Sequence, residues 1–215
     1  MRIIIFANGN LPNLEKAHSL ICPDDFILCA DGGTRHALAL GLTPNVVIGD
    51  LDSVTEEERR KMKEMGVEVM EFSMDKNETD LELTINHALT LEPEQILILA
   101  ALGGRMDQTL ANIALLSDPR LSTFDVRLTD GVEEIFFCRD QAKVEGRSGD
   151  IVSLIPWQGE VTGVFTENLR WHLHHETLYP DKTRGISNEM TSDVATVSIT
   201  SGLLLITHST HITGN

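Results

Sequence analysis

The chain has 215 residues, of which 41% are apolar and 23% are charged, a balance typical of a folded globular protein rather than a disordered one. Its 33 acidic residues outnumber its 17 lysines and arginines, which gives a formal net charge of −16. Such an acidic surface repels a phosphate backbone, and the sequence offers no basic patch, so no nucleic-acid partner is expected. No apolar run approaches the roughly 20 residues that cross a bilayer, so we expect no membrane partner either.

The cysteines and the start of the chain bear on the compartment. The three cysteines, Cys22, Cys29 and Cys138, are odd in number and show no Cys-x-x-Cys spacing. This pattern favours neither a disulfide framework nor a structural zinc site. The apolar run at the start is too short for a signal peptide and has no small-residue cleavage site. Together these features predict a cytoplasmic protein.

From the start to about residue 142, short apolar runs alternate with amphipathic stretches. Most runs are continuously apolar, as strands of a parallel sheet buried on both faces are. Capping-box spacing marks two helix starts, at Ser53 with Glu56 and at Thr79 with Glu82. The alternation predicts a mostly parallel, doubly wound α/β sheet. The predicted strands are 2–8, 26–30, 45–50, 67–72, 95–102, 124–129 and 132–139, and the predicted helices are 12–21, 34–41, 55–65, 79–91 and 106–117.

The rest of the chain has a different rhythm. Its apolar segments are short, rich in Val, Ile, Thr and Leu, and separated by glycines, and no stretch shows a convincing helical period. This pattern predicts a small antiparallel β sandwich. We therefore expect an α/β domain at 1–142 and an all-β sandwich domain at 143–215. The predicted strands of the second domain are 149–156, 160–166, 168–174, 193–200 and 202–208.

Acidic residues follow several of the predicted strands, and ligands of open α/β sheets bind beyond the carboxyl ends of strands. Asp50 and Asp52 are two residues apart at one strand end, so in an extended chain both carboxylates point to the same side. Holding two like charges together is costly unless a hard divalent cation lies between them. The alternative is that Asp50 ends the strand while Asp52 or Ser53 caps the following helix.

A second acidic segment precedes the helix predicted at 79–91. If Thr79 caps that helix, Asp80 stands at the mouth of the same crevice, although an acid there can also simply complement the helix dipole. Lys76, in the same segment, would be a counter-charge to a phosphate or an ordinary surface lysine. Together with the aspartate pair described above, Asp80 would form an acid ring that binds Mg²⁺, and Asp107 is a further candidate.

Two strand ends run into glycine pairs, in Asp31-Gly32-Gly33 and in Gly103-Gly104-Arg105. Glycines let backbone amides approach an oxygen-rich ligand closely, and the planar fork of an arginine suits a phosphate. The alternatives are ordinary strand-to-helix turns and a surface arginine. We expect these residues to surround a polyphosphate. The chain lacks both GxxxxGK[ST] and GxGxxG, so such a site would be neither a P-loop nor a dinucleotide-binding turn.

The order of these motifs along the chain closely resembles the thiamine pyrophosphokinase family. The resemblance implies an α/β catalytic domain, a C-terminal β sandwich and a homodimer with the active site at the subunit interface. It also implies transfer of the pyrophosphoryl group of ATP to the hydroxyl of thiamine, which gives thiamine diphosphate and AMP. The motifs are Asp31-Gly32-Gly33, Gly49-Asp50-Leu51-Asp52-Ser53, Lys76-Asn77-Glu78-Thr79-Asp80, Gly103-Gly104-Arg105-Met106-Asp107-Gln108 and Gly185-Ile186-Ser187-Asn188-Glu189.

The residues and the resemblance together assign the site. Arg105 would support the migrating group, and Asp107, as an unpaired carboxylate, would orient the thiamine hydroxyl. The Mg²⁺ ligands and catalytic acids would be Asp50, Asp52 and Asp80. ATP, the co-substrate, would contact Asp31, Gly32, Gly33, Lys76, Thr79, Gly103, Gly104, Arg105 and Gln108. Thiamine would contact Ser187, Asn188 and Trp171.

The sequence departs from the family pattern at three places. Asn77 stands where Asp is usual, Thr34-Arg35 replaces the commoner Ala-Asn, and Trp171-His172 replaces a Tyr-Pro pair. Two other functions stay open at this level. Aspartate clusters at strand ends serve a divalent-metal phosphohydrolase equally well, and Asn77 would suit a nucleotide- or thiamine-binding sensor that has lost turnover.

Overall fold

The structure is a computed structural model that describes residues 1–52 and 54–210. The chain divides between Gly131 and Val132 into two compact units. The boundary expected from the sequence, after residue 142, lies further along the chain. The difference comes from the strand Glu133–Cys138, which the sequence pattern groups with the α/β half. In the structure this strand pairs antiparallel with Ser201–Ser209 and so belongs to the second unit.

The first unit contains six strands in the order β4-β3-β2-β1-β5-β6, and every pairing among them is parallel. The chain builds outward from β1 to β4 and then returns to the other side of β1 with β5. The strand order therefore reverses between β1 and β5. The strands are β1 (Arg2–Phe6), β2 (Phe26–Ala30), β3 (Val46–Gly49), β4 (Glu68–Glu71), β5 (Gln95–Leu99) and β6 (Asp125–Thr129). The helices are α1 (Leu14–Ser19), α2 (Thr34–Ala39), α3 (Glu56–Glu64), α4 (Asp80–Thr90) and α5 (Met106–Leu115).

Burial of apolar side chains stabilises the central strands of this unit, which the sequence predicted. The four central strands, β1, β2, β3 and β5, carry continuous runs of buried apolar side chains, and burial of each Ile or Leu side chain contributes about 2 kcal/mol. Two 3₁₀ turns, Asp31–Gly33 and Pro119–Leu121, lie between the regular elements. The prediction of an α/β half with a mostly parallel sheet is confirmed, and most of its strands are shorter than predicted.

The helix starts agree with the sequence at one of the two predicted caps. Thr79 caps α4, since its hydroxyl accepts from the Glu82 N–H at 3.2 Å. The other predicted cap, Ser53, lies outside the described residues. Helix α3 is capped by Thr55, which forms a reciprocal capping box with Glu58.

The described part of the second unit consists of strands without a helix, and all pairings between its named strands are antiparallel. Its longest strand, β9, has 17 residues and pairs with four others, β10 to β13. The inward side chains of six strands form a buried apolar cluster. The strands are β7 (Glu133–Cys138), β8 (Gln141–Glu145), β9 (Ile151–Glu167), β10 (His174–Leu178), β11 (Asn188–Glu189), β12 (Val194–Ser198) and β13 (Ser201–Ser209).

Two strand predictions in this unit are wrong. The segments 149–156 and 160–166 are one strand, because Gln158 and Gly159, with φ of 60° and 143°, form an irregularity that does not end β9. A register shift of the partner strand at Ser201–Leu203 accommodates it. The segment 168–174 is not a strand either: Asn168 has φ of 59°, and the strand begins only at His174. Strands β8, β10 and β11 were not predicted.

Among the described residues, no helix has both the length and the apolar character that a membrane span requires.

Candidate active site

A cavity of about 540 Å³ lies at the carboxyl ends of β1, β2, β3 and β5, wholly within the first unit. The reversal of strand order between β1 and β5 is the position at which open α/β sheets bind ligands. The cavity gathers most of the residues predicted for the nucleotide site. Those that line it are Asp31, Asp50, Lys76, Thr79, Asp80, Gly103, Gly104, Arg105 and Gln108.

Three carboxylates form an acid cluster at this edge of the sheet. Asp31, Asp50 and Asp52 each offer an oxygen, and these oxygens all lie within 4.8 Å of one another. Asp31 is only 5% exposed, and its Oδ1 is buried without a hydrogen-bond partner among the described residues. Mutual repulsion makes such a group costly without a cation, and hard divalent ions prefer carboxylate oxygens. The donor set therefore fits Mg²⁺, and it includes Asp31, which the sequence assigned to the nucleotide instead.

Asp80, the third predicted metal ligand, is engaged differently. Its Oδ1 lies 2.7 Å from the Lys76 ammonium, which also lies 3.3 Å from Asp50 Oδ2. Lys76 is therefore a counter-charge held between two carboxylates. Its pKa is raised, because the pairs with Asp80 and Asp50 outweigh the lowering effect of burial.

The pKa values of the two carboxylates beside Lys76 are shifted in opposite directions. Burial raises the pKa of the Asp80 carboxyl; the Lys76 pair opposes this rise, and the charges of Asp50 and Asp31 add to it. The pKa of Asp50 is lowered, first by the hydrogen bond from the Asp52 backbone N–H at 3.2 Å and then by Lys76.

The backbone around the cluster is unusual. Asp31, Leu51 and Ala100, which follow β2, β3 and β5, have φ of 42°, 58° and 57°. Such conformations cost a non-glycine residue about 1–3 kcal/mol and tend to persist at functional sites. At Gly49 an added Cβ would lie 2.9 Å from the Asp31 Cβ and 3.1 Å from Asp80 Oδ1, so only glycine permits this approach of the two acids.

The glycine pairs serve two different purposes. Gly32 and Gly33 are buried and do not line the cavity. An added Cβ at Gly33 would lie 2.0 Å from the Phe6 carbonyl oxygen, so this pair allows the turn to pack against β1. Gly103 and Gly104 do line the cavity, and both have positive φ, at 76° and 72°.

Arg105 and Asp107 pair with each other. Arg105 Nη2 donates to Asp107 Oδ2 at 2.5 Å and Arg105 Nε to Oδ1 at 3.1 Å, and both side chains are largely exposed. The hydrogen bonds from Arg105 lower the pKa of the Asp107 carboxyl. Asp107 is not among the residues that line the cavity. The prediction of an unpaired Asp107 carboxylate is therefore wrong for this structure.

The sequence missed the segment 8–10, which continues β1 into the cavity lining. The Gly9 N–H donates to the Ala100 carbonyl at 2.6 Å, and the Asn10 N–H donates to the Leu102 carbonyl at 3.0 Å. Asn112 also lines the cavity and donates to the Ala101 carbonyl at 2.8 Å. These residues carry no charge, and the one sequence signal for the segment 8–10 was its place after a buried strand, whereas Asn112 lies within helix α5.

The residues predicted for thiamine lie in the second unit, around a separate cavity of about 220 Å³. Trp171 and Asn188 line this cavity, whereas Ser187 does not. Asn188 is buried, and its amide is committed to Trp171: Oδ1 accepts from the Trp171 N–H at 2.9 Å, and Nδ2 donates to the Trp171 carbonyl at 2.7 Å. The Trp171 ring is 53% exposed, with the Arg170 guanidinium 4.9 Å from its centroid.

A parallel α/β sheet with carboxylates, a lysine and glycines around a cavity at its switch point is typical of proteins that bind phosphorylated ligands and transfer phosphoryl groups. Comparison with known families makes the class specific. Residues 17–128 match the thiamin pyrophosphokinase catalytic domain, and residues 140–204 match the thiamin pyrophosphokinase vitamin B1 binding domain. The chain belongs to the thiamin pyrophosphokinase family.

Individual relatives agree with this assignment. The chain is 30% identical over 182 residues to a thiamine pyrophosphokinase of Bacillus subtilis, covering 84% of this chain and 85% of the relative. It is 27% identical to thiamine pyrophosphokinase 1 of Oryza sativa subsp. japonica, with 83% and 76% covered. The crystal structure of a Bacillus subtilis thiamine pyrophosphokinase superimposes with a TM-score of 0.89 at 27% identity, over 99% of this chain and 100% of the other.

Proposed function

We propose that this chain is an enzyme that transfers the pyrophosphoryl group of ATP to the hydroxyl of thiamine, releasing thiamine diphosphate and AMP. The observation that carries the proposal is the acid cluster of Asp31, Asp50 and Asp52 at the sheet's switch point, in a chain of this family. ATP is the co-substrate and Mg²⁺ the metal. The free cysteines of the described chain suit a reducing compartment, the cytoplasm.

The metal would be held by the acid cluster, with Asp80 beside it. Bound there, Mg²⁺ would neutralise phosphate charge and favour displacement at phosphorus. The chain's own cations act on the same charge: Lys76 and Arg105 both line the cavity and can pair with phosphate oxygens. Arg105 would have to exchange Asp107 for the phosphate, and this exchange is inexpensive because both groups are exposed.

Thiamine would bind in the second unit, where the vitamin B1 binding domain model matches. Trp171 offers an exposed ring as one wall of the smaller cavity, and Asn188 fixes the backbone of Trp171. We assign Ser187 to this site from the family motif. From the resemblance to the family we also propose a homodimer in which the active site lies at the subunit interface.

The finer description of the fold is part of the same proposal. We assign a doubly wound catalytic domain to the first unit and a thiamine-binding and dimerisation β sandwich to the second, with the boundary moved from residue 142 to Gly131. Strand β9 supports the sandwich, because it pairs with β13 on one part of its length and with β10 and β12 on another.

The decisive experiment is incubation of purified protein with ATP, Mg²⁺ and thiamine, followed by chromatography of the products. We expect AMP and thiamine diphosphate in equal amounts. AMP or phosphate without thiamine diphosphate would instead indicate a phosphohydrolase. Tight binding of ATP or thiamine without any product would indicate a sensor. The matched control is Asp52→Asn, which keeps the shape of the side chain and removes the charge.

A further inference from the structure

The segment 8–10 lies between the two glycine pairs of the first unit. An added Cβ at Gly32 would lie 2.6 Å from the Asn8 side-chain amide, and one at Gly103 would lie 2.6 Å from Asn10 Nδ2. Each asparagine therefore packs directly on the first glycine of one pair. Asn8, Gly9 and Asn10 all line the 540 Å³ cavity.

Helix α2 also holds this segment, through the side chains of Arg35 and His36. Arg35 Nη2 donates to Asn8 Oδ1 at 2.9 Å, and Arg35 Nε donates to the Gly32 carbonyl at 3.3 Å. The ring of His36 donates from Nε2 to the Gly9 carbonyl at 2.9 Å. Two neighbouring side chains of α2 thus hold two neighbouring residues of the segment.

The hydrogen bond from Arg35 determines which group of the Asn8 amide, the oxygen or the NH₂, is available to a ligand. A guanidinium has donors only, so the atom it contacts must be the amide oxygen. The Asn8 NH₂ group is then the part of the amide that remains for a ligand in the cavity. A positive charge 2.9 Å behind the amide oxygen also makes this position more favourable for an anion.

We propose that Asn8 donates its side-chain N–H to the phosphate chain of the nucleotide and that Arg35 is the positioning residue that orients it. This inference rests on the proposed function, since it assigns a contact within the nucleotide site. It gives a role to Arg35, which departs from the commoner asparagine of the family. The phosphates are the chosen target because Asn8 shares the cavity with the cations Lys76 and Arg105.

The first test is Asn8→Asp, which keeps the shape of the side chain and replaces the donor by a negative charge. Calorimetry with Mg²⁺ present should show ATP binding weakened about tenfold and AMP binding weakened much less. Asn86→Asp is the matched control, because Asn86 Oδ1 also accepts from an arginine, Arg120 Nη2 at 2.9 Å, and does not line the cavity. Its ATP affinity should equal that of the wild type.

The second test is a double-mutant cycle with Asn8→Ala and Arg35→Ala. Arg35→Ala should weaken ATP binding about fivefold in the wild type and less than about twofold in the Asn8→Ala background. Arg35→Lys should recover only part of the loss seen in Arg35→Ala, since a lysine keeps the charge and loses the two-point contact. Thermal melting confirms that each variant is folded.

Several results would overturn the inference. They are ATP binding by Asn8→Asp within twofold of the wild type, equal weakening of ATP and AMP, additive effects in the cycle, and full recovery by Arg35→Lys. A wild-type protein that binds no ATP would refute the proposed function itself, whereas a wild type that binds ATP while Asn8→Asp is unaffected would refute this inference alone.

Discussion

Asp31 combines a buried carboxylate oxygen that lacks a hydrogen-bond partner among the described residues with a backbone φ of 42°. Each feature costs about 1–3 kcal/mol in a folded protein. Side chains that carry such costs are commonly the ones a ligand uses, and the protein is then less stable than it could be. We therefore expect Asp31 to lower the stability of the protein while it contributes to ligand binding.

Replacing Asp31 by Asn should therefore raise stability and lower activity. An asparagine tolerates positive φ and removes the buried charge, so the variant should melt a few degrees higher in EDTA. Its Mg²⁺-dependent turnover should fall at least about tenfold, because one oxygen of the cluster loses its charge. Thermal unfolding and initial rates measure the two effects. An unchanged rate, or a lower melting temperature in EDTA, would contradict the assignment; the exposed Asp24→Asn is the control.

Lys76 should matter most when no divalent ion is present. In Lys76→Met, Asp50 and Asp80 lose their counter-charge, so the metal-free protein should lose about 1–2 kcal/mol of stability. Added Mg²⁺ should then stabilise the variant more than the wild type. Urea unfolding with EDTA and with Mg²⁺ gives the comparison, with the exposed Lys63→Met as control. Equal stabilisation of the two proteins by Mg²⁺ would refute the role given to Lys76.

At the scale of elements, the first unit was predictable and the second only in part. Buried parallel strands appear in the sequence as continuous apolar runs, and the start of helix α4 could be predicted from its cap at Thr79. In the second unit, Gly159 looks like a strand end in the sequence, whereas β9 pairs with distant β13 on both sides of this glycine and so continues through it. Tertiary pairing of this kind leaves no local signal.

The candidate site shows the same division. Charged residues at strand ends could be found because their chemistry is specific, and most of them line one cavity; Asp52 and Asp107 do not. Asn8 and Asn10 could not be found, because an uncharged amide acquires its role only from what the fold packs against it. The pairing of Asp107 with Arg105, two residues away, also depends on side-chain conformation rather than on sequence spacing.

One element-level contact predicts a pH dependence. Asp25, before β2, accepts from Arg2 Nε at 2.8 Å, from Arg2 Nη2 at 2.6 Å and from the Cys22 N–H at 2.6 Å. Burial raises the pKa of this carboxyl, but the hydrogen bonds from Arg2 and Cys22 outweigh it, and the net pKa is lowered. The ionised form is therefore favoured by folding, and the stability it confers is lost as pH falls through the folded-state pKa.

Asp25→Asn should accordingly lose about 2 kcal/mol of stability at pH 7. The difference from the wild type should persist down to about pH 4 and shrink below it, since the wild-type carboxyl then becomes protonated as well. Urea unfolding at several pH values between 7 and 3 measures this. A difference that stays constant over the whole range would show that the charge is not the cause.

At the scale of the whole molecule, the proposed shared active site makes a quantitative prediction. Asp52→Asn damages only the first unit, and Trp171→Ala damages only the second. If each site joins the first unit of one protomer to the second unit of its partner, a mixed dimer of the two variants contains one intact site. Refolding the two inactive variants together should restore about a quarter of wild-type activity, because half of the dimers are mixed. No recovery would place each active site within a single chain.

Strand β13 lies between β7 and β9, although the two are joined to each other through β8 long before Ser201 is reached. During synthesis on the ribosome, more than thirty residues are added between Glu167, the end of β9, and Ser201, the start of β13. Until then, the edges of β7 and β9 that pair with β13 stay unpaired. Open edges are templates for pairing between chains. Nascent molecules should therefore be prone to aggregate until β13 inserts, and chaperones that shield β edges should improve the yield of this protein more than agents that stabilise its finished form.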